Sequence, residues 1–424
     1  MASNLKFPVL VIGAGPAGMA AAVAAASSGT RVGVVDDNPG PGGQIWRGEG
    51  RKPSSRQASR WFERIRSSSI DYLYGTQVLG PLERGTLLAE TDSRATTLQY
   101  DRLIIATGAR ELFLPFPGWT LPNVLGAGGL QAMVKSGLPI SGKSVVVAGS
   151  GPLLLAVAAY LKHSGADVRL VAEQAPLRKL ARFGLGLWRD PAKIRQAAGL
   201  KWSLGSVRFK AGCWPVAAEG EGAVARVALT DGRTTWHERC DYLACGFGLV
   251  PNGELAMALG CATVRGFVGV DASQRTTVPD VFAAGELTGI GGVDLALVAG
   301  QIAGFTAAGD EVKARDLFAS RERARAFAKR LDRAFSLRDE IHTLAKTDTI
   351  VCRCEDVPHG ALVPYRSWLD AKLQTRCGMG ACQGRVCGGA VEVLYGWSRT
   401  SIRPPILPTA LANLGRRAET DQSL

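Results

Sequence analysis

Short apolar runs that stop at a glycine and pass into alanine-rich stretches of helical length dominate the first half of the chain. Val9-Leu-Val-Ile12 suits a buried parallel strand and leads into Gly13-Ala-Gly15-Pro-Ala-Gly18, then an alanine-rich stretch to Ala26. Strand, glycine turn and helix are predicted in that order. Arg31–Val35 is a second strand ending at Asp36-Asp37, and Leu103-Ile-Ile ends another at Ala106-Thr107-Gly108. The pattern repeats at Ser144-Val-Val-Val-Ala-Gly149-Ser-Gly151-Pro-Leu-Leu154, with a further strand over Val168–Val171 leading to Glu173. Strands alternating with helices imply an α/β fold with parallel sheets. From Asp310 to about Ala345, Ala324, Phe327, Leu331 and Phe335 recur at helical spacing, which predicts a packing helix with a solvated basic face.

Composition agrees with this picture. A chain of 424 residues can hold two or three domains, and 46% hydrophobic with 21% charged residues argues for folded cores. Fifty Lys and Arg against 37 Asp and Glu leave a net charge of +13. The basic residues are scattered among apolar and acidic ones, without a Lys/Arg block or an RNA-binding signature, so nucleic acid is not the expected partner. The uncharged run from Phe7 to Thr30 is interrupted by glycine and proline, unlike a membrane span or a signal peptide. The expectation is a soluble cytoplasmic protein. Of nine cysteines, five crowd between Cys352 and Cys387, while Cys213, Cys240, Cys245 and Cys261 stand apart. That distribution suits metal ligation in a reducing compartment rather than a disulfide framework.

The glycine turns carry the first chemistry. Gly13 permits a tight turn, Gly15 lets a pyrophosphate reach the backbone, and Gly18 lets helix and strand pack closely, while the acidic Asp36-Asp37 can hold ribose hydroxyls. In the second unit Leu154 takes the third glycine's place, which would separate helix from strand and narrow the pocket. Glu173 there suits an unphosphorylated ribose. A working NAD site and a retained domain that binds no nicotinamide both remain open. Gly40-Pro-Gly-Gly43-Gln44, Ala106-Thr107-Gly108 and Thr277-Val-Pro-Asp-Val-Phe-Ala-Ala-Gly285-Glu286 add to the first unit. Together these pieces resemble the glutathione-reductase-like flavoproteins with two dinucleotide-binding domains. The resemblance implies FAD, with Glu286 facing its ribityl chain where that family usually has Asp.

Cys352-Arg-Cys354-Glu and, further on, Cys377, Cys382 and Cys387 form the second chemical centre. Four thiolates in one short module suit an iron-sulfur cluster or structural zinc, and beside a flavin domain a 2Fe-2S cluster is the favoured occupant. Spacing alone leaves five cysteines for four positions. His163, His237, His342 and His359 pair with no ligand or nucleophile and read as ordinary residues. Gly42–Trp46 lacks the redox cysteines that disulfide reductases of this superfamily carry there, and Cys240 and Cys245 are too isolated for a dithiol site, so that activity is not expected.

The run Ala106-Thr-Gly-Ala-Arg-Glu-Leu-Phe-Leu-Pro-Phe-Pro-Gly-Trp119, the Cys352/Cys354 pair and Thr375-Arg-Cys-Gly-Met-Gly-Ala-Cys-Gln-Gly-Arg-Val-Cys387 together resemble the α-subunit family of opine oxidase, hydrogen cyanide synthase and D-hydroxyproline dehydrogenase. The likeness spans nearly the whole chain. It implies two Rossmann-like domains, the second inserted in the first, and a small helical 2Fe-2S module similar to bacterioferritin-associated ferredoxin. The boundaries expected are an FAD domain over 1–117 and 250–309, a NAD-like domain over 118–249, a helical linker over 310–345, the cluster module over 346–400 and a tail over 401–424. FAD contacts are implied at Gly13, Gly15, Ala17, Gly18, Asp36, Asp37, Gly43, Gln44, Val78, Thr107, Gly108, Gly285 and Glu286. A second adenine nucleotide is implied at Gly149, Gly151 and Glu173, and cluster ligands at Cys352, Cys354, Cys382 and Cys387, with Cys377 a bystander.

By the same likeness the chain is an electron-transfer subunit of a dehydrogenase acting on D-hydroxyproline, opines or glycine. Its implied partners are a D-amino-acid-oxidase-like FAD subunit, which oxidises the substrate, and a small ferredoxin-like 2Fe-2S subunit. Its electron acceptor would bring it to the inner membrane face. The alternative is an NADH-dependent flavin reductase that feeds a ferredoxin-type acceptor. No acid-base residue is assigned to either reading.

Overall fold

The computed structural model describes residues 4–48, 55–91, 94–399 and 402–415. The end of the expected tail, 416–424, lies outside the described residues. The chain forms two compact units, one of Met1–Arg110, Pro251–Ala328 and Thr400–Leu424, the other of Glu111–Val250 and Lys329–Arg399.

In the first unit, the strands expected around Val9, Val32 and Leu103 form Asn4–Ile12, Val32–Asp36 and Arg94–Ile105 in a seven-stranded sheet. Asn4–Ile12 lies between the other two, parallel to both. Ile70–Tyr74 extends the parallel side, and the carboxyl end of Arg94–Ile105 also pairs in parallel with Val281–Ala283. Thr86–Thr91 and Thr76–Glu83 continue the sheet in antiparallel fashion. Ile12 pairs with Val35 and with Ile105, and Ile105 with Ala283, so four strands end level with one another. Such a row of carboxyl ends is where open α/β sheets bind ligands.

The helix Pro16–Ser27 is buried almost all round, which its run of alanines permits. It packs against the helix Gly292–Ala307 so closely that a Cβ at Gly300 would sit 2.1 Å from Ala17 O and one at Gly304 2.2 Å from Ala21 O. Glycine is therefore required at both crossing points.

The second unit holds a five-stranded parallel sheet in the order Arg208–Ala211, Asp167–Glu173, Ser144–Gly149, Tyr242–Gly246, Val124–Gly126. A three-stranded antiparallel sheet, Trp214–Glu219, Arg226–Thr230 and Thr235–Arg239, supplies one wall of its core. The cysteine module belongs to this same unit. Ile341, Leu344 and Ala390 join the core around Leu114, Phe116 and Trp119, and Trp119 Nε1 donates to Ile350 O at 2.6 Å.

Helices Glu311–Asp316 and Phe318–Ala334 form where helical spacing was noted. The basic face is not uniformly solvated as the pattern suggests, because Arg321 is only 4% exposed and donates to Ala272 O. Phe335 lies just past the helix end, and its ring meets Phe183 edge-on at 5.7 Å between centroids. Among the described residues, no helix is long and apolar enough to cross a membrane.

Candidate cofactor sites

The level strand ends of the first unit bring most of the expected FAD residues into one row. Gly13 and Gly15 follow Asn4–Ile12, Asp36 ends its neighbour, Thr107-Gly108 follow Arg94–Ile105, and Gly285-Glu286 follow Val281–Ala283. The helix Pro16–Ser27 starts at Gly15 with no side-chain cap, which leaves its first N–H groups for an anion. Gly15 and Gly18 then separate two kinds of glycine. A Cβ at Gly18 would lie 1.7 Å from Gly13 O, so the fold itself excludes it, whereas a Cβ at Gly15 would meet nothing nearer than Gly43 Cα at 3.9 Å. The fold itself thus leaves room for a side chain at position 15 and none at position 18.

Asp36 is buried, accepts from Ala14 N, and accepts from Asn38 N at 2.8 Å and Asn38 Nδ2 at 2.7 Å. Asn38 also donates to Asp37 at 2.7 Å and accepts from Arg47 Nη2 at 2.8 Å, and the same Arg47 nitrogen reaches Gln44 Oε1 at 3.1 Å. Arg47 Nε is buried without a partner. The Nη2 group of Arg47 is held by Asn38 and Gln44, so the guanidinium is fixed in one orientation. Asn38 and Arg47 were missed in the sequence; the only available signal was one Arg three residues after Gln44. Ala17 is buried on the first helix and Val78 is buried in Thr76–Glu83. Thr107 Oγ1 donates to Asn252 O at 2.7 Å and Asn252 Nδ2 returns a bond to Thr107 O at 2.9 Å, which fixes the turn before Gly108. Burial raises the Glu286 carboxyl above its usual range, opposed by a hydrogen bond from Gly292.

The second Rossmann turn is differently furnished. Glu173 is 2% exposed, and its two oxygens accept from Gly151 N at 2.7 Å and Ala175 N at 2.8 Å. Burial pushes its carboxyl up to about 7. Leu154 is buried in the core beneath the turn. Gly149 backs onto Gly246 of the neighbouring strand. Between them Ser150 Oγ donates to Phe335 O at 2.8 Å, and the fully buried Gln174 donates to Ser150 Oγ at 2.9 Å and to Ser336 O at 3.1 Å. Arg338 N returns a bond to Gln174 Oε1 at 3.2 Å, and Lys179 Nζ reaches Ser336 Oγ at 3.0 Å. The chain's own residues 335–338 thus hold the polar groups that border the glycine turn.

In the cysteine module, Cys352 ends the strand Ile350–Cys352 and Cys387 starts the helix Cys387–Tyr395, while Cys377 and Cys382 lie on the loop between. Cys352, Cys377 and Cys387 are each 1% exposed, and their Sγ atoms all lie within 4.8 Å of one another. Cys382 is half-buried and Cys354 exposed. Hydrogen bonds from the Cys377 and Cys387 thiols hold Cys352 down to about 2, with Gly378 N approaching its sulfur at 3.4 Å. Bonding to Cys387, against the cost of burial, holds Cys382 down to about 5, and Cys382 also shares a bond with Cys354. A low thiol pKa favours the thiolate that metals bind. The tight group thus holds two of the expected ligands, Cys352 and Cys387, together with Cys377, the expected bystander, while Cys382 and Cys354 stand outside it, with Cys382 bonded to both Cys387 and Cys354. Cys213, Cys240, Cys245 and Cys261 are free and buried.

Residues 7–303 match the pyridine nucleotide-disulphide oxidoreductase family, and the chain belongs to it. It is an oxidoreductase of a flavoprotein family, one whose members imply FAD. More narrowly, the chain is a relative of subunits from two enzymes. It is 30% identical to hydrogen cyanide synthase subunit HcnB of Pseudomonas aeruginosa, over 98% of this chain and 100% of that one. It is 31% identical to an opine oxidase subunit of Agrobacterium tumefaciens, over 99% of this chain and 93% of the other. Among solved structures, L-proline dehydrogenase from P. horikoshii shares the fold, with a TM-score of 0.69 at 18% identity, covering 98% of this chain and 80% of that one.

Proposed function

We propose that this chain is the electron-transfer subunit of a multi-subunit amino acid or opine dehydrogenase, holding FAD in its first unit and a 2Fe-2S cluster among its C-terminal cysteines. The observation that carries the proposal is the presence in one polypeptide of an uncapped glycine turn at the level ends of four strands and a buried group of thiols. The relatives' names, a cyanide synthase subunit and an opine oxidase subunit, support a C–N donor class: D-hydroxyproline, an opine or glycine. Substrate oxidation is assigned to a partner flavoprotein subunit, with a small ferredoxin-like subunit completing the complex.

When bound, the flavin would take electrons in pairs and the cluster would pass them singly. This chain's residues do the holding. The N–H groups after Gly15 would bind the pyrophosphate, Asp36 the ribose hydroxyls, and Arg47, oriented by Asn38 and Gln44, a further anionic oxygen. Glu286 would face the ribityl chain. A two-iron core needs a thiolate pair at each end. Cys352 and Cys387 would hold the cluster from the buried side and Cys354 and Cys382 from the rim, with Cys377 as a fifth sulfur at the buried end.

The test is anaerobic purification followed by flavin, iron and sulfide analysis, then reduction assays with and without the co-purified partner. Flavin and about two irons per chain are expected. Zinc in place of iron would remove the relay, and reduction by donor without any partner would place substrate oxidation on this chain.

A further inference from the structure

Between Asp167–Glu173 and Arg208–Ala211, the chain inserts two helices, Leu177–Gly186 and Pro191–Leu204, joined through Leu187–Arg189. The first buries no residue and the second only Leu204. Helices of folded domains point their apolar stripe inward. Here Leu177, Ala181 and Leu185, spaced four apart, are all exposed, and so are Ile194, Ala197, Ala198 and Trp202 on the second helix. Leu177 is 70% exposed, Leu185 77%, Trp188 67% and Trp202 88%. Residues 177–204 contain seven Lys and Arg against one acidic residue, Asp190.

We propose that this helix pair seats the protein on an anionic lipid surface, without spanning the bilayer. Exposed tryptophan and leucine on helices flanked by lysine and arginine are the pattern of interfacial helices, whose rings sit at the headgroup level while the cations meet lipid phosphates. A partner protein fits less well. Protein interfaces are depleted in lysine, whereas Lys201 is exposed beside Trp202, and the neighbouring cations Arg178, Arg182 and Arg195 are exposed as well. The proposal is independent of either cofactor assignment.

The test is co-sedimentation of the flavin-loaded protein with vesicles of phosphatidylcholine alone and with added phosphatidylglycerol. Binding is expected only with the anionic lipid and should weaken with salt. The double variant Leu185→Glu/Trp202→Glu, at surface positions that bear no core load, should keep its flavin and its melting curve yet bind at least about tenfold more weakly. Brominated lipids should quench the native protein's fluorescence more than that of Trp202→Phe. Three results overturn the proposal: no binding to anionic vesicles, unchanged binding by the double variant, or loss of a co-purifying subunit in that variant with vesicle binding intact.

Discussion

Gly15 and Gly18 stand three positions apart in one turn and make opposite predictions. Gly18→Ala must push its Cβ against Gly13 O, so it should destabilise the first unit by about 1–3 kcal/mol or more, read as a lowered melting midpoint. Gly15→Ala has room in the protein, so its melting midpoint without cofactor should stay within about 2 °C of the parent while flavin content falls at least about tenfold. Equal flavin content in the Gly15 variant would remove the cradle. Glu173 makes a prediction in pH. Burial raises its carboxyl from an ordinary 4.5 to about 7, so the folded state binds the proton more tightly than the unfolded chain. Its effect is absent below pH 4.5, and stability falls as pH rises from there through 7, by about 3 kcal/mol once Glu173 is ionised. In Glu173→Gln that decline should flatten. A melting midpoint with the same pH slope in both proteins between 4.5 and 7 would show that Glu173 does not titrate there.

Strands and turns were legible because their signal is local. Val9–Ile12 reads as a strand from four residues, and the turn that follows is glycine for reasons confined to a few ångströms. What brings Asp36, Thr107 and Glu286 into one row is the level pairing of strands, and only the known order of motifs in similar proteins anticipated it. Contacts between distant segments left no trace in the sequence. Ser150 bonds Phe335, and neither residue belongs to a motif that names the other. Leu154 was expected to narrow a nucleotide pocket; the more direct obstacle is the backbone of 335–338. The cysteine loop lies between these cases. Its five sulfurs were visible as a group, but the burial of Cys377 beside Cys352 and Cys387 was not, since that cluster is closed by residues distant in sequence, Val351, Leu362 and Val391, with Trp368 packed against it. The paired-thiolate arrangement predicts that Cys382→Ser loses the cluster's EPR signal and that Cys377→Ser keeps both signal and iron. The reverse outcome would move the fourth ligand from the rim to the buried end.

Both units carry a strand, a glycine turn and an uncapped helix start, and a Cβ would find room at Gly15 and at Gly151 alike, so the difference lies in the polar groups around each turn. In the first unit Asn38 joins Asp36, Asp37 and Arg47 in one hydrogen-bonded group after the second strand. In the second, Glu173 accepts from backbone N–H groups with both oxygens, as Asp36 does in the first, but Ser150 and Gln174 add hydrogen bonds to Phe335, Ser336 and Arg338. A dinucleotide that called on Ser150 or Gln174 would compete with these bonds, each worth about 1 kcal/mol. Electrons should therefore enter from a donor subunit rather than as hydride from a nicotinamide. Under anaerobic conditions the flavin absorbance of the isolated chain is expected to stay oxidised with millimolar NADH. It should bleach when a proline-like or opine donor is added together with the partner subunit. Freeing the turn by Gln174→Ala together with Ser150→Ala should increase any nicotinamide binding measured by calorimetry. Rapid bleaching of the unaltered chain by NADH would establish the reductase reading and reverse the direction of electron flow assigned here.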